Sequence, residues 1–142
     1  MIYVLYGQPG AGKTTLGEKL ASEVKTPFII EGDEFRDMFA NKNYGKEGRE
    51  ENIKNANAVA TYLNKKRQKV VMSLVNPYEH LREELKNNNL NEEVQVYLSS
   101  NRPIRRQYHV EDFEIGNFDF YLKTNHTKEE AWKRLKTLLQ LV

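Results

Sequence analysis

Apolar and polar positions alternate in blocks along the chain. Five short β-prone runs, residues 2–6, 28–31, 70–75, 94–98 and 118–123, hold few charges, as strands covered on both faces do. Between them the apolar positions fall at helical spacing. A helix over 13–24 follows a glycine-rich turn, and a short one is predicted over 34–39. Residues 50–66 place Ile53, Ala56, Ala60 and Leu63 on one face. Pro77 suits the first position of a helix reaching about residue 86. The last helix opens at Thr127, which forms a capping-box pattern with Glu130, and it buries Ala131, Leu135, Leu138 and Leu139. Trp132 reads as core or rim. Strand–helix alternation with right-handed crossovers predicts an α/β fold, a five-stranded parallel sheet with helices on both faces. No repeat and no linker rich in Pro, Gly or Ser divides the chain, so residues 1–142 read as one domain.

Composition narrows the setting. With 142 residues, 39% hydrophobic and 30% charged, the chain has the make-up of a soluble globular domain. It contains no cysteine, which excludes disulfides and thiolate metal sites and fits a reducing compartment such as the cytoplasm. Residues 1–6 lack the long apolar core of a signal peptide, and no run reaches membrane-spanning length, so no membrane partner is expected. A net charge of +2 argues against broad, non-specific nucleic-acid binding and leaves room for a local basic patch.

The first strand runs straight into Gly7-Gln8-Pro9-Gly10-Ala11-Gly12-Lys13-Thr14-Thr15. This stretch fits G-x-x-x-x-G-K-[ST] in full and lies, as that pattern requires, between a strand and a helix. Glycines let successive backbone N–H groups turn toward a phosphate, and the following helix adds its positive end. Lys13 is expected to reach the β- and γ-phosphates, and the Thr14 hydroxyl to ligate Mg²⁺. The stretch therefore predicts a P-loop site for a nucleoside triphosphate, here ATP.

Such loops serve switches, motors and kinases, so other residues must decide among them. The second strand ends in Glu31-Gly32-Asp33-Glu34-Phe35-Arg36, at the sheet edge where parallel sheets bind ligands. Asp33 could take a proton from an acceptor hydroxyl and hold the metal's waters, with Arg36 gripping an anionic acceptor on the same helix face. The same two residues would equally serve as an N-cap and a solvated side chain.

Three further blocks add to these: Gly48-Arg49-Glu50-Glu51-Asn52-Ile53, Ser73-Leu74-Val75-Asn76-Pro77-Tyr78 and Arg82. Together with the loop, they resemble the adenylylsulfate (APS) kinase family, which reads D-G-D-x-x-R, R-x-E-N-I and S-x-x-x-P-Y-x-x-x-R in the same order. The resemblance implies a nucleotide-kinase type of P-loop fold and ATP-dependent phosphorylation of a hydroxyl. It makes Asp33 the base or metal-organising carboxylate, and Arg36, Arg49 and Asn52 the acceptor-binding groups. Ser73 and Asn76 lie past the third strand on the same ligand edge. Tyr78 is explained as well by helix-start geometry as by acceptor contact.

The resemblance covers roughly the first 85 residues, and beyond them the likeness thins. The family carries a long basic lid with a K-G-L-Y-type segment and then F-T-G-I-D-x-P-Y-E, whose Phe stacks on the acceptor's adenine. Here the lid is the shorter segment 99–114, in which Asp112-Phe113-Glu114 stands near the P-Y-E part and Tyr108 is the candidate for the stacking ring. Arg102, Arg105 and Arg106 read as lid arginines: Arg102 and Arg106 stabilise the transferring group, and Arg105 holds the nucleotide. His80, His109 and His126 show no metal-ligand spacing.

Three functions remain open. One is a kinase of a small nucleotide acceptor, adenylyl sulfate above all. Another is a compact bacteriophage-type kinase of 5-hydroxymethyluridine in DNA, whose backbone would suit an open cleft with Arg36 and Arg49. The third is a nucleotide-binding switch without turnover, against which stand Lys13, Thr14, Asp33 and the lid arginines. Related enzymes often pair, so a homodimer is compatible with all three.

Overall fold

In this computed structural model, which describes residues 1–102 and 108–141, successive side chains of the first strand go to opposite faces of a sheet. The strands are β1 (Ile2–Tyr6), β2 (Ile29–Glu31), β3 (Val70–Leu74), β4 (Glu93–Ser99) and β5 (Phe120–Lys123). The helices are α1 (Lys13–Glu23), α2 (Gly32–Met38), α3 (Lys46–Lys65), α4 (Glu79–Asn88) and α5 (Lys128–Leu138). All strand pairs are parallel, in the order β2-β3-β1-β4-β5. β1 is thus central, with Ile2 opposite Val70 on one side and Glu93 on the other.

Burial explains the two layers. On one face Leu5, Val71, Val96 and Leu98 pack with Leu16 and Leu20 of α1 and Ala131 and Leu135 of α5. On the other, Ile2, Val4, Tyr6 and Met72 pack with Phe35 of α2, Ala56 and Ala60 of α3 and Leu85 of α4. Near-continuous apolar strands follow from cover on both sides. Trp132 sits at the rim of the first layer, and Thr127 caps α5 by accepting a hydrogen bond from the Glu130 amide at 3.2 Å.

Several boundaries differ from the sequence expectation. α2 starts at Gly32, directly off β2, and its N-cap is Glu31, so Asp33 is not the cap. α3 starts at Lys46, after an extended Gly45, which places Arg49 and Asn52 within its first turns. α4 waits until Glu79 because Asn76 is left-handed (φ 52°) and Pro77 spends its carbonyl on the Glu114 amide at 2.8 Å. β5 begins at Phe120, two residues late, because Asp119 turns its carboxylate onto the Gln95 amide at 2.7 Å.

A buried polar layer crosses the fold between α4 and β4. Arg82 is 1% exposed, and its guanidinium donates to the carbonyls of Asn76 (2.6 Å), Glu114 (2.7 Å) and Ile115 (2.9 Å). It also lies 4.2 Å over the Tyr6 ring, whose hydroxyl donates to Ile115 and whose own titration burial pushes up to about 12. Gln95 links this layer to Glu93 through bonds from its amide nitrogen to Arg82 O and Glu93 Oε2. Burial pushes the Glu93 carboxyl up to about 7, partly offset by Gln95 and Lys86.

A folded pKa above the unfolded one means that the protonated form contributes its full stability at low pH. That contribution is lost as pH rises through 7. Glu93→Gln, which keeps the neutral shape, is expected to leave the melting temperature nearly unchanged at about pH 4 and to raise it at about pH 8. At the higher pH the gain corresponds to about 3 kcal/mol. Thermal melts followed by circular dichroism at the two pH values check this.

Candidate functional site

The loop at the end of β1 is shaped by two glycines above all. A Cβ on Gly7 would run into the Leu98 carbonyl of the neighbouring strand, and Gly12 is left-handed (φ 90°) where it hands the chain to α1. α1 has neither a side-chain cap nor an acidic residue in its first turn, so its positive end is left for a ligand. Within the loop the Gln8 carbonyl accepts from the Ala11 amide at 3.2 Å and from Lys13 Nζ at 2.9 Å. Ala11 O is tied from behind by the buried Thr124 hydroxyl at 2.8 Å.

Two clefts open beside the loop. The first, of about 330 Å³, is lined by Pro9, Lys13, Thr14, Glu31, Asp33 and Ser73. The second, of about 220 Å³, is lined by Asp33, Arg36, Tyr44, Arg49, Asn52 and Asn76. Asp33 and Tyr108 line both. The exposed Asp33 side chain therefore stands on the wall that the clefts share. Smaller cavities also border the loop, one lined by Gln8, Ala11, Ser100 and Arg102 and another by Thr15, Arg102, Thr124 and His126.

The arginines of the second cleft are held in place. Arg36 donates to the Asn43 carbonyl at 2.9 Å and stacks 4.5 Å over the Tyr44 ring. Arg49 donates to the Tyr44 carbonyl (2.8 Å), to the Tyr78 hydroxyl (2.9 Å) and to Asp112 (3.3 Å). Tyr78 is 2% exposed and donates in turn to Asp112 at 3.1 Å; burial raises its pKa above the usual value for tyrosine. It orients Arg49 and does not line either cleft.

The polar groups of the two clefts differ in what they already bind. Ser73 is buried and donates to Lys13 O at 3.3 Å, which pins the start of α1. Asn52 donates to Gly32 O at 3.3 Å, and its side-chain oxygen has no partner among the described residues. Asn76 is 1% exposed, and both polar atoms of its amide lack partners among the described residues. Glu31 has a pKa raised by burial and by repulsion from Asp33, Glu34 and Glu18.

The described parts of the sequence prediction that meet at one edge are the loop, Asp33 and Arg36 of α2, Arg49 and Asn52 of α3, Ser73 and Asn76 at the end of β3, and Tyr108. Of the lid arginines, Arg102 is beside the loop, its Nε 3.1 Å from Ser100 Oγ, while Arg105 and Arg106 lie outside the described residues. Sequence reasoning missed Tyr44, which sits in an irregular Asn- and Lys-rich stretch with no period to mark it. It also missed the work of Asp112, which reaches Arg49 from 63 residues away.

The sequence matches the family model described as adenylylsulphate kinase over residues 1–112. An adenylyl-sulfate kinase from Gloeothece citriformis is 31% identical over 101 residues, 68% of this chain and 57% of that protein. The chain spans about half the length of the curated relatives it matches. Mycobacterium tuberculosis APS kinase CysC, solved in complex with AMPPNP and APS, superimposes with a TM-score of 0.79 over 98% of this chain and 96% of that one, at 18% identity. A gluconokinase from Sinorhizobium meliloti gives a TM-score of 0.71 at 18% identity over 98% and 91%. At such identities the two structures establish the P-loop kinase fold alone. The family match is broader, since it takes in the loop, Asp33 and both clefts as far as Asp112, and the chain belongs to the adenylylsulphate kinase family.

Proposed function

We propose that the protein transfers the γ-phosphoryl group of ATP to a hydroxyl of a small nucleotide acceptor, adenylyl sulfate being the acceptor to which the family points. The observation that carries this reading is Asp33, the carboxylate common to the cleft beside Lys13 and Thr14 and the arginine-lined cleft next to it. A transferring group must pass between two such compartments, and a base is needed at their boundary.

In this reading the triphosphate lies along Gly7, Gln8, Pro9, Gly10, Ala11, Gly12, Lys13, Thr14 and Thr15, with backbone amides and the α1 terminus supplying positive potential. Lys13 exchanges the Gln8 carbonyl for phosphate oxygens. Arg102 and Arg106 of the lid stabilise charge on the group in flight, and Arg105 holds the nucleotide. On the other side Arg36 and Arg49 hold the acceptor's anionic group, Asn52 and Asn76 offer unpaired amide atoms, and Tyr44 and Tyr108 provide flat faces. Asp33 aligns the acceptor hydroxyl and takes its proton. Ser73 acts through its hold on α1.

Mg²⁺ fits the donor set. Thr14, Glu31 and Asp33 line one cleft, which sets a hydroxyl and two carboxylates beside the phosphate loop. Among the described residues no cluster of three or more His, Cys, Asp or Glu is arranged to hold a metal. Thr14 and Asp33 would therefore share the ion with phosphate oxygens and water. When bound, the metal neutralises the developing charge on the β- and γ-oxygens.

The 5-hydroxymethyluridine reading would use the same arginines, and the comparisons lend it no support. Lys13→Ala is expected to lower phosphoryl transfer by about a thousandfold with an unchanged circular dichroism spectrum. Near-normal transfer in that variant would reject the loop assignment. A labelled-ATP screen should then show transfer to adenylyl sulfate. Transfer to hydroxymethyluridine DNA with none to adenylyl sulfate would overturn the small-nucleotide reading.

A further inference from the structure

Gln8 occupies a position that the phosphate-loop pattern leaves free, and the backbone amides and Lys13 do the phosphate work around it. Its side chain is engaged elsewhere. The amide nitrogen donates to the Val110 carbonyl at 2.9 Å, and the amide oxygen accepts from the Val110 N–H at 2.9 Å. One primary amide thus satisfies both polar groups of one peptide residue, 102 positions away, as a neighbouring strand would. The next residue repeats the contact: Pro9 O lies 3.2 Å from His109 Nε2.

We propose that Gln8 is a positioning residue, which ties the phosphate loop to the wall of the acceptor cleft through residues 108–115. The assignment rests on the kinase reading above. Tyr108 and Val110 line the acceptor cleft, and Asp112 two residues on holds Arg49 and Tyr78. The carbonyls of Glu114 and Ile115 are anchored by Arg82. The segment is therefore fixed at its far end by a buried cation and at its near end by the loop itself.

The same residue feels the nucleotide. The Gln8 carbonyl accepts from Lys13 Nζ, so a triphosphate that draws the ammonium away changes the surroundings of the residue that carries the clamp. Because Gln8 fixes both the N–H and the carbonyl of Val110, it sets the register of the segment as well as its nearness. An apolar residue of equal size would fill the space and leave the register free. Acceptor binding is therefore coupled to the loop through these two bonds.

The test compares the wild type with Gln8→Met, which keeps side-chain volume, and with Gln8→Ala. Gln8→Met keeps the backbone amide, the only part of residue 8 that faces the phosphates, so the KM for adenylyl sulfate should rise about tenfold while kcat and the Kd for AMPPNP change by less than about threefold. The Val110 amide should exchange hydrogen faster by NMR in both variants. An unchanged KM, or a KM and an AMPPNP Kd that weaken in proportion, would overturn the proposal, since the second pattern means simple damage to the loop. Wild-type protein that transfers nothing to adenylyl sulfate would refute the kinase reading by itself. The clamp then stands or falls on exchange alone, and unchanged Val110 exchange in Gln8→Met would refute it.

Discussion

A strand that is hydrogen-bonded on both sides can release its chain only at its end, and β1 is such a strand. Between β1 and α1 the backbone must bend sharply under the Leu98 carbonyl, and it can do so only with glycine at position 7 and a left-handed residue at position 12. The bend leaves the first amides of α1 uncapped. Because all strands are parallel, the ends of β2 and β3 arrive at the same edge and bring Glu31, Asp33, Ser73 and Asn76 to the bend. The site is a consequence of that shared edge.

The acceptor side depends on charges that are already committed. Arg36 and Arg49 are fixed by carbonyls, rings and Asp112 before any ligand arrives, so little side-chain freedom is left to lose on binding. Arg82 plays the corresponding part inside the protein. It holds Asn76 on one side and the Glu114 and Ile115 carbonyls on the other, and its charge partly offsets the burial that lifts Tyr6.

Local signals in the sequence were enough for the strands, the glycine loop and α5, because each rests on neighbours in the chain: apolar runs, a turn that excludes side chains, and the Thr127–Glu130 cap. The residues misplaced or left open were those that a local window does not decide. Pro77 looks like a helix start, yet the Glu114 amide claims its carbonyl and α4 begins later. Asp33 is open to two readings, cap or site carboxylate, and the structure removes the first, since β2 runs into α2 with Glu31 in the cap position. Tyr78 could have faced a ligand, and only the approach of Asp112 shows it to be a brace for Arg49. Nothing in a local window could reveal the Gln8–Val110 pair.

The central claim is that Asp33 acts on the acceptor hydroxyl from the wall between two clefts. Single-turnover phosphoryl transfer by Asp33→Asn, measured beside an AMPPNP titration, tests it most directly. The account predicts a chemical step slowed by about 10²–10⁴-fold with nucleotide affinity held within about threefold. A step of normal rate, or a defect confined to AMPPNP binding, would contradict it.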